Sequence, residues 1–270
     1  MIYLGTLGRV IGIKCPASQS VEAEERYTFQ TTLEGRRKAQ LRPIGRRIWS
    51  LRTSDATTPA EHSLLSQFAS GAWGPGPFWF LPADAPGVNT MSPGASLCAP
   101  GEYFLTSGVT VTEGAPMLTP DGWAARSLLK NTANGLFLGT DRLPIIFGGP
   151  KITVSAYVRG VGGAVGVTFY DSAGVSMGTT YSSVKAGATD VVRSRLTLSP
   201  PSGAVSFHVV VNSATVQVCW PAATFTDSLQ PFGEGQGCAK AVVHAASRDL
   251  VLAVPGHTYS NVSFTVTEVG

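Results

Sequence analysis

One segment of the sequence has the spacing of a serine-hydrolase motif. Residues 174–178, with the sequence GVSMG, match the pattern G-x-S-x-G, which places a nucleophilic serine on a sharp turn between a strand and a helix. The residues that follow, TTYSS, favour a strand instead of a helix. The segment therefore predicts a β-hairpin, and we expect no nucleophilic catalysis from it.

The other residue types that perform catalysis also lack a recognisable arrangement. The histidines show no metal-ligand spacing such as H-E-x-x-H, and no two acidic residues fall in a glycosidase-like pattern. Residues 233–237, GEGQG, lack the strand and helix that flank a dinucleotide-binding loop. The sequence therefore predicts a binding or structural protein, with no enzymatic activity and no cofactor.

The cysteines and one histidine have defined expected environments. The cysteines are far apart and form no C-x-x-C pair, so we expect reduced, partly buried thiols and no zinc site. Cys219 has the opposite strand parity from Val216 and Val218, which predicts that it faces outward. His208 alternates with its apolar neighbours on a strand, which predicts a hydrogen-bonded or exposed histidine. The cysteines are Cys15, Cys98, Cys219 and Cys238.

The composition predicts an all-β, turn-rich protein. The 270 residues include 31 Gly and 18 Pro, and only 14% are charged. Apolar and polar side chains alternate most clearly at 152–159, 165–170 and 205–211. Turn residues at 171–174 and 200–203 separate these strands. Several short strands at this spacing predict an antiparallel sandwich.

Residues 58–71 predict the one clear helix. Thr58 is its N-cap, Pro59 fits the first turn, Glu61 completes a capping box, and Gly71 ends it. The apolar stripe of this helix should pack on a sheet. It consists of Leu64, Leu65 and Phe68.

The remaining segments fill in the predicted architecture. Residues 78–80, FWF, and the pair Trp49 and Leu51 are expected to be buried core. Residues 82–100 are rich in proline and glycine and predict a linker or long loop between two domains. Candidate strands at 103–112 and 123–130 complete the sandwich. The alternating C-terminal segment predicts a strand that must pair with another part of the chain.

A basic run lies in the first part of the chain. Seven of the 20 Lys and Arg residues lie between positions 36 and 52, although the net charge is only +3. Three interpretations stay open: a solvated hairpin, a surface for an acidic protein partner, or a phosphate-binding patch. No interleaved aromatic residues support nucleic-acid binding, and we expect no readout of nucleic-acid sequence.

The N-terminus lacks a basic segment followed by an apolar one, so it does not resemble a signal peptide. No run of 18 apolar residues occurs. We therefore expect a protein that is made and kept in a cytoplasm, without membrane insertion.

Three motifs occur in order in the region of the predicted sandwich: SAYVRG at 155–160, F-x-D-x-x-G at 169–174, and Trp220 followed by Pro221. Their order and spacing resemble the jelly-roll carbohydrate-binding modules of bacterial glycoside hydrolases. The resemblance covers roughly residues 100 to 230. It implies a galactose-binding-like β-sandwich whose exposed aromatic rings contact sugars.

The resemblance directs attention to particular residues. Tyr157 and Tyr170 have the polar parity of their strands, with Arg159 and Arg193 nearby, and these four are the candidate carbohydrate-binding residues. The alternative is that the two tyrosines only cover the sheet. Some jelly rolls of this type bind a structural calcium ion through loop oxygens. In this chain the candidate calcium ligands are Asp171 and Asp227.

A second resemblance concerns the ends of the chain. The strand at 27–35, the Trp-containing strand at 47–51, the helix at 58–71 and the segment GPFWFL at 76–81 follow in that order. This order resembles the N-terminal domain of distal-tail or minor tail proteins of long-tailed bacteriophages, those of actinobacteria above all. It implies a tail-ring β-barrel or sandwich domain with one short helix. That domain would consist of residues 1–90 with 240–270, and the sandwich of residues 100–230 would be inserted in it.

This second resemblance also implies a function. We expect a virion protein of the tail tip, assembled in the host cytoplasm as a closed ring, a hexamer in this family. It would contact the tail tube, hub or baseplate and tape-measure proteins, and its sandwich would face host-wall glycans. The alternative is a carbohydrate-binding module protein accessory to glycan-degrading enzymes. The candidate assembly residues are Arg36, Arg37, Lys38, Arg42, Arg46 and Arg47.

Overall fold

The computed structural model describes residues 1–14, 18–23, 27–31, 34, 36–41, 46–53, 58–105, 110–131, 135–146, 151–212, 215–254 and 257–269. The chain divides into two compact units. The first comprises Met1–Ile2, Ile13–Phe78 and Lys240–Gly270, and the second comprises Tyr3–Gly12 and Trp79–Ala239. Strands dominate both, which confirms the predicted all-β class.

The elements of the first part of the chain are β1 (Ile2–Thr6), β2 (Arg9–Ile13), β3 (Ser18–Ala23), β4 (Tyr27–Thr31), β5 (Arg37–Leu41), β6 (Arg47–Arg52), α1 (Pro59–Ser70), β7 (Phe78–Leu81), α2 (Ala85–Val88) and α3 (Pro93–Ser96). The later elements are β8 (Tyr103–Leu105), β9 (Val111–Leu118), β10 (Ala124–Lys130), β11 (Leu136–Pro144), β12 (Ile152–Arg159), β13 (Val165–Tyr170), β14 (Ser176–Tyr181), β15 (Val192–Leu198), β16 (Ser206–Val211), β17 (Val216–Thr224), β18 (Cys238–Val254) and β19 (His257–Glu268).

In the first unit, four antiparallel strands lie side by side in the order β18-β19-β6-β3. The C-terminal strand β19 therefore has a partner on each edge. Phe264 lies opposite Leu51 and Val266 lies opposite Trp49, and all four side chains are buried. This confirms the buried face predicted for Trp49 and Leu51. Strands β4 and β5 form a separate hairpin.

Helix α1 begins and ends as its sequence predicts. The Thr58 hydroxyl accepts a hydrogen bond from the Glu61 backbone N–H at 3.3 Å, and the Glu61 carboxylate accepts one from the Thr58 N–H at 3.0 Å. Gly71, with φ of +77°, ends the helix in the left-handed conformation. Leu65 and Phe68 are buried, whereas Leu64 is only half-buried.

The second unit contains a β-sandwich of two five-stranded antiparallel sheets. One sheet has the order β15-β12-β17-β10-β9 and the other has the order β14-β13-β16-β11-β8. The inward-facing side chains of both sheets form one hydrophobic core, to which Val154, Val167 and Phe207 belong. The sandwich predicted from the alternating segments is thus present. Strands β2, β1 and β7 also lie side by side in that order.

The expected linker at residues 82–100 is an integral part of the second unit. The fully buried Asn89 side chain donates to the carbonyl oxygens of Pro221 at 3.2 Å and Gly233 at 3.0 Å, and accepts from the Ala223 N–H at 3.1 Å. The Thr90 hydroxyl donates to the Ala223 carbonyl at 2.9 Å. The linker prediction was wrong because proline and glycine here shape the short helices α2 and α3, which pack against the sandwich.

The segment predicted as one strand at 103–112 forms parts of two strands in different sheets. Strand β8 pairs with β11, and β9 pairs with β10 in the opposite sheet.

Candidate functional site

A groove lies on the outer face of the sheet that contains β12, β15 and β17. It encloses about 600 Å³. Its walls come from the turn before β10, from β15, from the middle of β17 and from the loop after β17. The lining residues are Asp121, Trp123, Arg193, Trp220, Leu229, Gln230, Pro231 and Phe232.

Trp220 lies at a bulge in β17. The pairing with β12 shifts between Cys219, which is opposite Tyr157, and Ala222, which is opposite Ser155. Val218 and Ala223 both face the core although an odd number of positions separates them, so one extra residue interrupts the alternation. Trp220 has φ of +49°, a conformation that non-glycine residues adopt at a cost and that occurs often at functional sites.

The Trp220 ring is stacked on Phe232. Their centroids are 4.6 Å apart and their planes differ by 3°. Aromatic rings in a parallel stacked arrangement attract each other, so each ring fixes the orientation of the other. The loop after β17 thus extends the surface that Trp220 begins.

Trp123 supplies an exposed ring on a fixed backbone. Its side chain is 65% exposed. Its carbonyl accepts a hydrogen bond from the Thr119 N–H at 2.9 Å, and its N–H donates to the Thr119 hydroxyl at 3.2 Å. Gly122, with φ of +85°, permits this tight turn. Together with Trp220 and Phe232, Trp123 forms the apolar surface of the groove, and a contiguous exposed apolar surface often marks a binding site.

Tyr157 lies beneath the groove and is almost completely buried, at 3% exposure. Its hydroxyl donates a hydrogen bond to the Asp121 carboxylate, and its ring meets the edge of Trp220 at a centroid distance of 6.2 Å. Burial raises the pKa of Tyr157 to about 12, and the hydrogen bond to Asp121 acts in the same direction. The hydroxyl is therefore protonated, and remains a donor, at neutral pH.

Arg193 forms one wall of the groove and is held by the protein. It lies directly opposite Tyr157 in the sheet, with its guanidinium 5.5 Å from the centre of that ring. Nη2 donates to the Gln230 carbonyl at 2.6 Å and to the Ser155 hydroxyl at 3.2 Å, whereas the buried Nε has no hydrogen-bond partner. Burial lowers the pKa of Arg193 from its ordinary value.

The four candidate sugar-binding residues do not form one site. Tyr157 and Arg193 are adjacent at the groove, but the burial of Tyr157 corrects the expectation that its ring faces solvent. Tyr170 lies on β13 in the other sheet, where the Arg142 guanidinium is 4.0 Å from its ring centre. Arg159 is on the groove side but donates to the Gln217 side chain.

His208 and Cys219 also differ from their expected environments. His208 is 6% exposed, and neither ring nitrogen makes a well-formed hydrogen bond. It packs between the rings of Phe137 and Tyr170, so both predicted environments were wrong. Cys219 lies on the outer side of β17 as its parity predicts, yet it is buried beneath Tyr157 and Trp220. Cys98 and Cys219 are buried free thiols, Cys238 is also buried, and Cys15 lies outside the described residues.

The two candidate calcium ligands have separate surroundings. Asp171 accepts hydrogen bonds from the N–H groups of Ala173 at 2.9 Å and Val175 at 2.8 Å, which is a common way for aspartate to form a turn. Asp227 is exposed after β17. In the part of the chain that the structure describes, no group of three or more His, Cys, Asp or Glu side chains is arranged to hold a metal ion.

The basic run is only partly described. Arg36 and Arg46 are exposed, and Arg36 lies 3.9 Å from the Glu34 carboxylate. Arg47 is half-buried and paired with Glu268. The side chains of Arg37 and Lys38, and the whole of Arg42, lie outside the described residues. Among the described helices, none is long and apolar enough to cross a membrane.

Sequence reasoning missed the residues that form the groove. Asp121 and Trp123 precede Trp220 and Phe232 by about 100 residues in the chain, and only the fold brings the two pairs together. One signal was present: Asp121-Gly122 is a strong turn pair, and a tryptophan directly after such a turn tends to be exposed. Trp220 enters the sequence expectations only as part of a family motif.

No family model matches the chain, and no curated protein matches it in sequence. Several solved structures resemble part of it. The enzymatically active domain of tailspike protein 4 of bacteriophage CBA120 is 15% identical, with a TM-score of 0.41 over 52% of this chain and 22% of that one. This chain thus spans about a fifth of the tailspike domain.

Two smaller structures match over nearly their whole length. A carbohydrate-binding module of Cellvibrio mixtus lichenase 5A, in complex with cellotriose, is 17% identical, with a TM-score of 0.30 over 46% of this chain and 92% of the module. A module of Clostridium stercorarium in complex with cellobiose is 20% identical, with a TM-score of 0.30 over 46% of this chain and 89% of the module. These are similarities of the sandwich fold alone.

Proposed function

We propose that this chain binds a glycan in the groove lined by Trp123, Trp220 and Phe232. The observation that carries the proposal is the exposed ring of Trp123 beside the stacked rings of Trp220 and Phe232. The C–H face of a pyranose ring is apolar and flat, so it packs well on an indole, while its hydroxyl groups need polar partners at the edge. The same groove supplies both kinds of surface.

The polar residues of the groove fit this ligand. Asp121 and Gln230 provide side-chain oxygens that can accept hydrogen bonds, and Arg193 provides a donor face. A few polar groups set in a mainly apolar concave site are typical of small-molecule binding, and such sites enclose roughly 300–1,000 Å³. The volume of about 600 Å³ suits a short stretch of an oligosaccharide chain.

Affinity electrophoresis of the full chain in gels that contain single polysaccharides tests the proposal, and isothermal titration with the oligosaccharides of any retained polymer gives the Kd. We expect Trp123→Ala to weaken binding at least tenfold, about 1.4 kcal/mol, because it removes an exposed stacking surface. Trp123→Phe should keep most of the affinity, since it retains an aromatic face.

Val161→Ala is the matched control, because Val161 is 72% exposed on the same unit but does not line the groove. It should bind as the wild type does. If no polysaccharide or glycan is retained, the proposed function is wrong. If Trp123→Ala binds as well as the wild type, the groove is not the binding site.

The tail-ring function implied by the sequence resemblance is a separate proposal, and the virion location and the assembly partners belong to it. It is supported by the exposed cations Arg36 and Arg46 of the first unit, whereas Arg47 is already engaged with Glu268. Native mass spectrometry tests it: a closed ring is the expected result, and a monomer at high concentration, with tube and hub proteins present, contradicts it.

A further inference from the structure

Two charged side chains line the groove, and the protein exposes them differently. Asp121 is exposed, whereas Arg193 is half-buried. The charge that a ligand meets first is therefore negative. This difference bears on which glycans can enter.

The guanidinium of Arg193 is partly used by the protein itself. Nη2 is directed at the Gln230 carbonyl and the Ser155 hydroxyl, and Nε is enclosed. The adjacent Tyr157 ring covers part of the planar group. A carboxylate binds arginine most strongly through a two-pronged contact, and these internal contacts occupy one of the prongs.

The Asp121 carboxylate is positioned from below. One oxygen, Oδ2, accepts the hydrogen bond from the Tyr157 hydroxyl. An ionised carboxylate has roughly four acceptor positions on its two oxygens, so several stay available on the groove side. Burial raises the pKa of Tyr157, so its hydroxyl stays protonated. It therefore holds the carboxylate in place by donating one hydrogen bond, and the other acceptor positions remain for the hydroxyl groups of a ligand.

We propose that Asp121, positioned by Tyr157, selects the ligand, and that the groove takes neutral glycans, whose hydroxyl groups donate to this carboxylate, and rejects carboxylated ones. The proposal rests on the glycan-binding function above and names the ligand class of that site. Neutral hydroxyls gain short, charge-assisted hydrogen bonds. A uronate carboxylate in the same place meets a like charge, which is a strong element of specificity.

Matched polymers with one backbone test the preference. One pair is hydroxyethyl cellulose and carboxymethyl cellulose, and the other is fully methyl-esterified and de-esterified polygalacturonate. A glycan array that holds both neutral and uronate-containing oligosaccharides extends the comparison to other backbones. We expect the full chain to bind the neutral members at least tenfold more tightly and the array hits to be neutral.

Variants assign the preference to the two residues. Asp121→Asn keeps the shape of the side chain but removes its charge, so the ratio of neutral to acidic affinity should fall at least tenfold. Tyr157→Phe should weaken neutral binding about three- to fivefold. Combined with Asp121→Asn it should cause no further loss, because the two residues act as a unit. A purely structural role for Tyr157 would instead give additive losses.

Asp171→Asn is the control, since it makes the same change in an exposed turn on the other sheet and should leave the ratio unaltered. Tighter binding to the acidic polymers, or an unchanged ratio in Asp121→Asn, would overturn the inference while leaving glycan binding intact. Absence of binding to every polymer and array glycan would refute the glycan-binding function, and this inference with it.

Discussion

Arg47 and Glu268 are 221 residues apart in the chain and form a two-pronged ion pair. Nε lies 3.0 Å from Oε2 and Nη2 lies 3.1 Å from Oε1. The Arg47 backbone N–H also donates to Oε2 at 3.2 Å. The two side chains are only 12% and 20% exposed, so water screens them weakly. The pair ties the last strand, β19, to β6 within the first unit.

Glu268→Gln should destabilise the first unit by about 2 kcal/mol, because it leaves the partly buried Arg47 without its charged partner. Urea unfolding followed by tryptophan fluorescence measures the change. The matched control is Glu113→Gln, which breaks the pair of Glu113 and Arg126 at 2.8 Å. These side chains are 59% and 47% exposed, so we expect a loss below about 0.5 kcal/mol. Equal losses in the two variants would contradict the importance of burial.

Asn89→Ala should destabilise the second unit by about 3 kcal/mol. The change leaves the buried Pro221 carbonyl, the half-buried Gly233 carbonyl and the buried Ala223 N–H without the Asn89 side chain as their partner. Differential scanning calorimetry gives the change in stability. Because Gly233 directly follows Phe232, glycan affinity should fall as well.

Asn131→Ala is the control for this prediction, since Asn131 has the same side chain at an exposed position. It should change stability by less than about 0.5 kcal/mol. A small effect of Asn89→Ala would mean that the segment 82–100 is held mainly by its apolar contacts.

His208 should make the second unit less stable at acidic pH. Burial lowers its pKa to about 4, the nearby charge of Arg142 acts in the same direction, and the backbone carbonyl of Asp141 opposes the shift. An unfolded histidine titrates near 6.5, so between about pH 6.5 and 4 the unfolded chain binds more protons. Stability is therefore complete above pH 6.5 and falls as the pH is lowered, by about 3 kcal/mol at pH 4.

His208→Phe should remove this contribution, because it keeps a ring between Phe137 and Tyr170 but cannot be protonated. Urea unfolding at a series of pH values measures the slope of stability against pH. Thr179→Ala on the same sheet is the control. Because it neither adds nor removes a titratable group, it should lower stability equally at every pH and leave the slope of stability against pH unchanged. A slope in His208→Phe equal to that of the wild type would refute the assignment.

The sequence predicts the strands and the helix better than it predicts the surroundings of single side chains. Alternation identifies β12, β13 and β16 because each has one face in the core. The capping box predicts the start of α1 because all of its hydrogen bonds are local. The prediction of a linker at residues 82–100 is wrong because composition does not reveal the long-range hydrogen bonds of Asn89.

The prediction of the candidate site from the sequence fails for a related physical reason. Alternation places Tyr157 on the outer face, which is correct, but the turn at Asp121 and the ring of Trp220 cover that face. Burial there is a tertiary property, and no period in the sequence encodes it. The groove residues were missed for the same reason, although Arg193, which was expected near the two tyrosines, does line the groove.

The bulge at Trp220 has a consequence for how such a domain changes in evolution. Val218 and Ala223 hold their places in the core only because β17 contains one surplus residue between them. Deleting a single residue there would restore the regular alternation on both sides of the gap. The sandwich would retain its core, but Trp220 would lose the outward conformation that stacks it on Phe232. Removal of a single residue would thus convert a sandwich that carries the proposed glycan-binding groove into one without it, with the rest of the fold unchanged.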